Sequence, residues 1–197
     1  AGEYAAHVPR LGNQPTVAMN NFEAALAEAA FMTGLERNAD IVYQATYAPL
    51  FAHVEGWQWR PDLIWFNNLE SVRSVNWYVQ MLYATNRGTH VLSLTESGKP
   101  VEGHENLYAS AVYDKTAKAY IVKIVNAGDK EQHINLTFTG LKNLGKGKLT
   151  TLHSNDPRAT NSLENKTHVV PQTSDVEGNG NVLSVKVPAK TFAVYRF

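Results

Sequence analysis

The sequence predicts an α+β fold: the last β/α units of a (β/α)8 barrel of the TIM type, followed by an antiparallel β-sandwich of jelly-roll-like form. Three observations carry this prediction. Residues 20–51 read as a long amphipathic helix, a tight turn and a buried strand. Residues 75–88 carry a second helical period that ends in Asn86-Arg87-Gly88. From Thr89 onward the chain becomes a series of short alternating strands separated by turn residues. Two domains follow, residues 1–88 and residues 89–197.

The opening Ala1-Gly2-Glu3-Tyr4-Ala5-Ala6-His7 is short and apolar around one carboxylate, and Pro9, Gly12, Asn13 and Pro15 make the next stretch a loop. Glu3 then falls at the end of a strand that leads towards a helix, where β/α barrels place catalytic groups. A solvated glutamate at a frayed terminus is the commoner reading from spacing alone. Phe22, Ala25, Leu26, Ala29 and Met32 recur at helical spacing. Asn20, three residues before Glu23, imitates a capping box. Asn38-Ala39-Asp40 ends this helix, and the β-branched and aromatic run Ile41 to Tyr47 predicts a strand over 41–48.

The loop that follows holds His53, Trp57, Trp59, Arg60, Pro61 and Asp62. Indole faces stack on the C–H surfaces of sugar rings, and Arg and Asp hydrogen-bond directionally to hydroxyls. Packing on an irregular strand is the commoner use of such tryptophans. Leu63 to Phe66 is a short buried run, and Val75, Tyr78, Val79, Leu82 and Tyr83 follow the helical period, with Gly88 after the last turn. Two units cannot close an eight-stranded barrel, so apolar helix faces are left to self-associate or to pack onto the sandwich.

Sandwich strands are expected at 91–94, 107–113, 119–125, 133–138, 147–152, 182–187 and 191–197. Residues 114–118, 126–129 and 178–181 have hairpin-turn chemistry, and the polar stretch 154–181 reads as a long loop. His90, His104, His133, His153 and His168 lack metal-ligand spacing.

The 197 residues, 44% of them hydrophobic, provide enough apolar matter for a core. Eighteen basic and eighteen acidic residues balance, leaving no field to gather nucleic acid or an anionic membrane, and neither partner is expected. The chain has no cysteine, hence no disulfide or thiolate metal site, and no apolar run of membrane-spanning length. No metal or cofactor is expected. Because it begins Ala1-Gly2-Glu3-Tyr4 without a signal-peptide pattern, the sequence reads as a piece of something longer.

Gly2-Glu3-Tyr4-Ala5, the run Ala25 to Asp40, Tyr47-Ala48-Pro49-Leu50-Phe51, Trp59-Arg60-Pro61-Asp62-Leu63-Ile64 and Trp77-Tyr78-Val79-Gln80 stand here in one order. Together they resemble the C-terminal portion of the α-L-arabinofuranosidases of glycoside hydrolase family 51, closely over residues 1–88 and more loosely beyond. The resemblance implies a retaining hydrolase that releases α-L-arabinofuranosyl groups from hemicellulose and pectin side chains, with a β/α barrel before a C-terminal sandwich. It assigns Glu3 as catalytic nucleophile at the end of the seventh barrel strand and residues 41–48 to the eighth. The family's acid/base glutamate lies in an earlier Gly-Asn-Glu motif that this sequence does not contain. Glu23, Glu28 and Glu36 fall on the helix after Glu3, on the far side of the unit, and do not replace it.

The fragment alone is therefore expected to be inactive. Trp57, Trp59 and Asp62 are candidates to line the sugar subsite, and the partner is an arabinose-containing polysaccharide or oligosaccharide. A secreted or periplasmic location follows from where such polymers are found. The rival reading is a non-catalytic carbohydrate-binding or structural sandwich module; the sandwich is expected to brace the barrel.

Overall fold

The computed structural model describes residues 3–4, 20–58 and 61–197. In chain order the first elements are β1 (Glu3–Tyr4), α1 (Phe22–Arg37), β2 (Thr46–Tyr47), β3 (Phe51–His53), β4 (Ile64–Phe66), β5 (Ser71–Arg73) and α2 (Val75–Thr85). The strands that follow are β6 (His90–Leu92), β7 (Thr95–Glu96), β8 (Lys99–Pro100), β9 (Leu107–Asp114), β10 (Ala119–Asn126) and β11 (Gln132–Thr137). The last four are β12 (Lys146–His153), β13 (Gln172–Glu177), β14 (Val182–Val187) and β15 (Thr191–Arg196).

The expected antiparallel sandwich is present. A six-stranded sheet runs β13-β12-β15-β10-β9-β6, and a two-stranded sheet pairs β11 with β14. The helices cover the other face of the large sheet, giving three layers. Phe22, Ala25 and Ala29 of α1, Val75, Val79 and Leu82 of α2, and Val112, Ile121, Val125 and Phe192 of the sheet form one buried cluster. Ala109, Ala111, Val122, Ile124, Leu183 and Tyr195 form the second, between the sheets. Strands β9, β10 and β15 are thus buried on both faces, which is why they read as nearly continuous apolar runs. Tyr83 stacks on Phe192 with ring centroids 5.4 Å apart, and its hydroxyl donates to the Ala29 carbonyl at 2.8 Å. That side chain ties α2 to both α1 and the sheet, so the apolar helix faces close on the sandwich.

Several local expectations change. The cap of α1 is Asn21, whose Oδ1 accepts from the Ala24 N–H at 2.9 Å, and Asn20 is used elsewhere. Of the strand expected over 41–48 only β2, Thr46–Tyr47, is in a ladder, and among the described residues it pairs with β1. Ile41 and Tyr43 stand 72% and 90% exposed. The loop after Phe51 instead contains β3, parallel to β4, which is antiparallel to β5.

Helix α2 ends on an Asn86 cap whose side chain donates to the Leu82 carbonyl at 3.0 Å. Gly88 serves close packing: a Cβ there would lie 2.5 Å from Val112 Cβ. Residues 114–118 do form the β9–β10 hairpin. The turns at 126–129 and 178–181 carry the chain from one sheet to the other, since β10 and β13 belong to the large sheet and β11 and β14 to the small one. Within the expected 154–181 loop lies β13, an exposed edge strand with no apolar alternation to announce it.

Candidate active site

Strands β1 and β2 are parallel, with Glu3 opposite Thr46 and Tyr4 opposite Tyr47. Helix α1 lies between them in the chain, so the three form a β-α-β unit. Asn21 starts the helix and its alanine-rich face permits close packing. Of Glu3, the described part is its backbone and register; its side chain lies outside the described residues. Trp59 and Arg60 also lie outside them.

Tyr47 is buried. Its hydroxyl donates to Glu28 Oε1 at 3.3 Å. Burial, then the negative charge of Glu28 and that of Asp62, hold the phenol well above its usual range. Tyr47 is therefore a neutral donor throughout the physiological range. Glu28, expected from the resemblance on the far side of the unit, is 2% exposed and hydrogen-bonded to Tyr47 of β2. Glu36 is taken up at the helix–sheet boundary, where Lys123 Nζ lies 2.6 Å away, and Glu23 is an exposed first-turn acid.

Asn20 organises the next shell. Its Oδ1 accepts from the Asp62 backbone N–H at 2.9 Å and from the Trp65 indole N–H at 3.0 Å. Its Nδ2 donates to Asn76 Oδ1, 3.1 Å away at the start of α2. One amide thus joins the entry to α1, the loop at Asp62, β4 and α2. Asp62 is 2% exposed and acts on Tyr47 through its charge. Trp57 stays 38% exposed while its ring meets Trp65 edge-on at 6.3 Å. The fold therefore links Asp62 and Trp57 through Asn20 and Trp65, beside the strand that pairs with Glu3. Sequence reasoning missed Asn20, Glu28 and Tyr47. The available signal was the Asn20-Asn21 pair, in which only one residue can cap.

The profile of the alpha-L-arabinofuranosidase C-terminal domain matches residues 2–191. Over 178 residues the chain is 36% identical to the probable alpha-L-arabinofuranosidase A of Aspergillus terreus, covering 88% of this chain and 26% of that protein. It is 34% identical to alpha-L-arabinofuranosidase 1 of Arabidopsis thaliana, covering 87% of this chain and 26% of that protein. The chain thus spans about a quarter of the length of the curated relatives it matches. Among solved structures, an arabinose-bound MgGH51 α-L-arabinofuranosidase matches with a TM-score of 0.85 and 32% identity, over 98% of this chain and 31% of that one. An arabinose complex of the Thermotoga maritima enzyme matches with a TM-score of 0.78 at 14% identity, over 100% of this chain and 42% of that one, a likeness of fold alone.

Proposed function

From the premise that this chain belongs to the alpha-L-arabinofuranosidase C-terminal domain family, we propose that it is the C-terminal part of a retaining α-L-arabinofuranosidase. Residues 1–88 supply the last β/α units of the catalytic barrel, and residues 89–197 form the sandwich that braces them. The observation that carries the reading is the parallel pairing of β1 with β2 around α1, with Glu3 on β1. Catalytic groups of β/α barrels sit at the carboxyl ends of such strands.

In this reading Glu3 attacks the anomeric carbon of a terminal arabinofuranosyl group. A second carboxylic acid protonates the departing oxygen, then activates the water that releases the sugar. Such pairs stand roughly 5–5.5 Å apart. The acid/base comes from outside this sequence, which has no Gly-Asn-Glu motif. Glu28 and Glu36 are engaged by Tyr47 and Lys123, so neither takes over the role and the chain alone is inactive.

Trp57 and Trp59 line the sugar subsite. Asp62 completes it from its buried position beside Tyr47. The substrates are hemicellulose and pectin side chains, met in a secreted or periplasmic setting. No described helix is long and apolar enough to cross a membrane.

The test is hydrolysis of a chromogenic α-L-arabinofuranoside by a longer enzyme carrying this chain, by its Glu3→Ala variant, and by this chain alone. Activity confined to the unmodified longer enzyme supports the reading. A Glu3→Ala variant of undiminished activity overturns the nucleophile, and turnover by the chain alone overturns the divided site.

A further inference from the structure

Strands β12 and β13 are neighbours in one sheet, yet residues 154–171 separate them in the chain. A connection this long is uncommon between adjacent antiparallel strands. It leaves the sheet and crosses to the helices, where Ala159 and Val169 are buried in the cluster that α1 and α2 form with the large sheet.

The first turn of a helix has N–H groups with no acceptor inside the helix. In α1 the Ala24 N–H is met by the Asn21 cap. The two before it are met by the loop: the Phe22 N–H donates to the Ala159 carbonyl and the Glu23 N–H to the Pro157 carbonyl, each at 2.9 Å. The sandwich therefore fixes the chain just after Asn20.

Asn161 makes a second attachment. It is buried; its Nδ2 donates to the Val169 carbonyl at 3.0 Å and its Oδ1 accepts from the Val169 N–H at 2.8 Å, which closes the loop on itself. Its Nδ2 also reaches out of the loop to the Arg73 carbonyl, 3.1 Å away at the end of β5. Ser74, the next residue, donates its N–H to the Leu63 carbonyl at 2.9 Å and caps α2 by accepting from the Trp77 N–H. Asn76 follows, wholly buried, and its Oδ1 is the acceptor for Asn20 Nδ2. One loop thus holds Asn20 from two directions, through the start of α1 and through the start of α2. An amide that served only to close its own loop would need no bond to Arg73.

We propose that Asn161 is a positioning residue for the sugar subsite. The loop sets Asn20, and Asn20 sets the Trp65 indole and the Asp62 backbone, so the sandwich contributes to substrate binding without touching substrate. The subsite rests on the function proposed above, whereas the link from Asn161 to Asp62 rests on the hydrogen bonds alone.

The experiment uses a longer enzyme carrying this chain. Asn161→Ala removes the amide, and Ala159→Gly keeps every hydrogen-bonding group while loosening the backbone that presents the carbonyls. Val187→Ala, a cavity in the other buried cluster, controls for loss of stability alone. Amide hydrogen exchange is read by mass spectrometry on the peptide containing Asp62, whose N–H donates to Asn20. KM and kcat are read on a chromogenic α-L-arabinofuranoside. In Asn161→Ala, exchange at Asp62 should quicken roughly tenfold. KM should rise roughly fivefold with kcat within about twofold. Ala159→Gly should move both in the same direction, and Val187→Ala neither. Unchanged exchange in both loop variants, or an equal change in Val187→Ala, would overturn the link. Faster exchange with KM unchanged would overturn the positioning role. A longer enzyme inactive on arabinofuranosides would overturn the function proposed above and the positioning role with it, while exchange at Asp62 would still decide the link.

Discussion

Lys123 on β10 places its Nζ 2.6 Å from Glu36 Oε1 on α1, with the lysine side chain wholly shielded from water. Ser110 on β9 donates to the other carboxylate oxygen at 2.6 Å, and Lys123 also donates to the Asn86 carbonyl at 2.7 Å, just past α2. The pair therefore fixes both helix ends on the large sheet. Removing one partner leaves a buried charge uncompensated, which costs about 3–5 kcal/mol. Lys123→Met is expected to lose that much in urea unfolding, and Lys123→Met/Glu36→Leu to recover most of it. A double variant no more stable than the single one would show that the ion pair is not the source of the loss.

Alkaline stability should reflect the buried phenols. Burial pushes Tyr195 up to about 12 from 10.0. The unfolded chain releases this proton first, so Tyr195 contributes stability that is complete below the unfolded value and lost as pH rises through the folded one. The full effect is on the order of 2–3 kcal/mol. Tyr47 acts in the same direction. Lys123 acts oppositely: burial lowers it against the pull of Glu36, so its contribution grows as pH rises towards the unfolded value. The stability advantage of wild type over Tyr195→Phe should therefore shrink between about pH 9 and about pH 12. A constant difference across that window would place the phenol in contact with water.

Gly88 packs where a methyl group does not fit, 2.5 Å from Val112 Cβ and 3.0 Å from the Tyr113 carbonyl oxygen. Gly88→Ala should destabilise the chain by about 1–3 kcal/mol, the usual scale of overpacking. Val112→Ala in the same chain should return part of it, read as a shift in thermal midpoint. A neutral Gly88→Ala would mean that the link from α2 to β6 moves freely against β9.

In the proposed reading Trp57, 38% exposed and with Trp65 edge-on at 6.3 Å, meets the sugar. In a longer enzyme carrying this chain, Trp57→Ala should raise KM roughly tenfold with little change in kcat, the pattern of lost uniform binding. Asn20→Ala, which releases Trp65 and the Asp62 backbone, should move KM in the same direction. A change in kcat alone would place Trp57 outside the subsite.

The helices were legible because their burial follows the helical period, as in the Val75 to Tyr83 run, and the long sandwich strands because they are apolar almost throughout, as in β10. Asp114 announced its hairpin through its own chemistry, accepting from the Thr116 and Ala117 N–H groups. Turn residues mark where the chain reverses but not which sheet receives it, so the turns at 126–129 and 178–181 read as hairpins. Edge strand β13 is exposed at five of six positions and carried no alternation. Ile41 and Tyr43 have strand propensity but no ladder partner among the described residues. At the candidate site, the proposal of Glu3 rests on its motif, and its described part is its register opposite Thr46. The burial of Asp62 and Glu28 depends on residues distant in the chain, Asn20 and Tyr47, which no local pattern ties to them.

The role proposed for Glu3 is to form the covalent bond to the sugar. It is tested most directly by trapping a longer enzyme carrying this chain with a slow 2-fluoro arabinofuranosyl donor and mapping the modified peptide by mass spectrometry. One 2-fluoro-arabinofuranosyl ester is expected on the peptide containing Glu3, absent from Glu3→Gln. An ester on another carboxylate in the unmodified enzyme would contradict it.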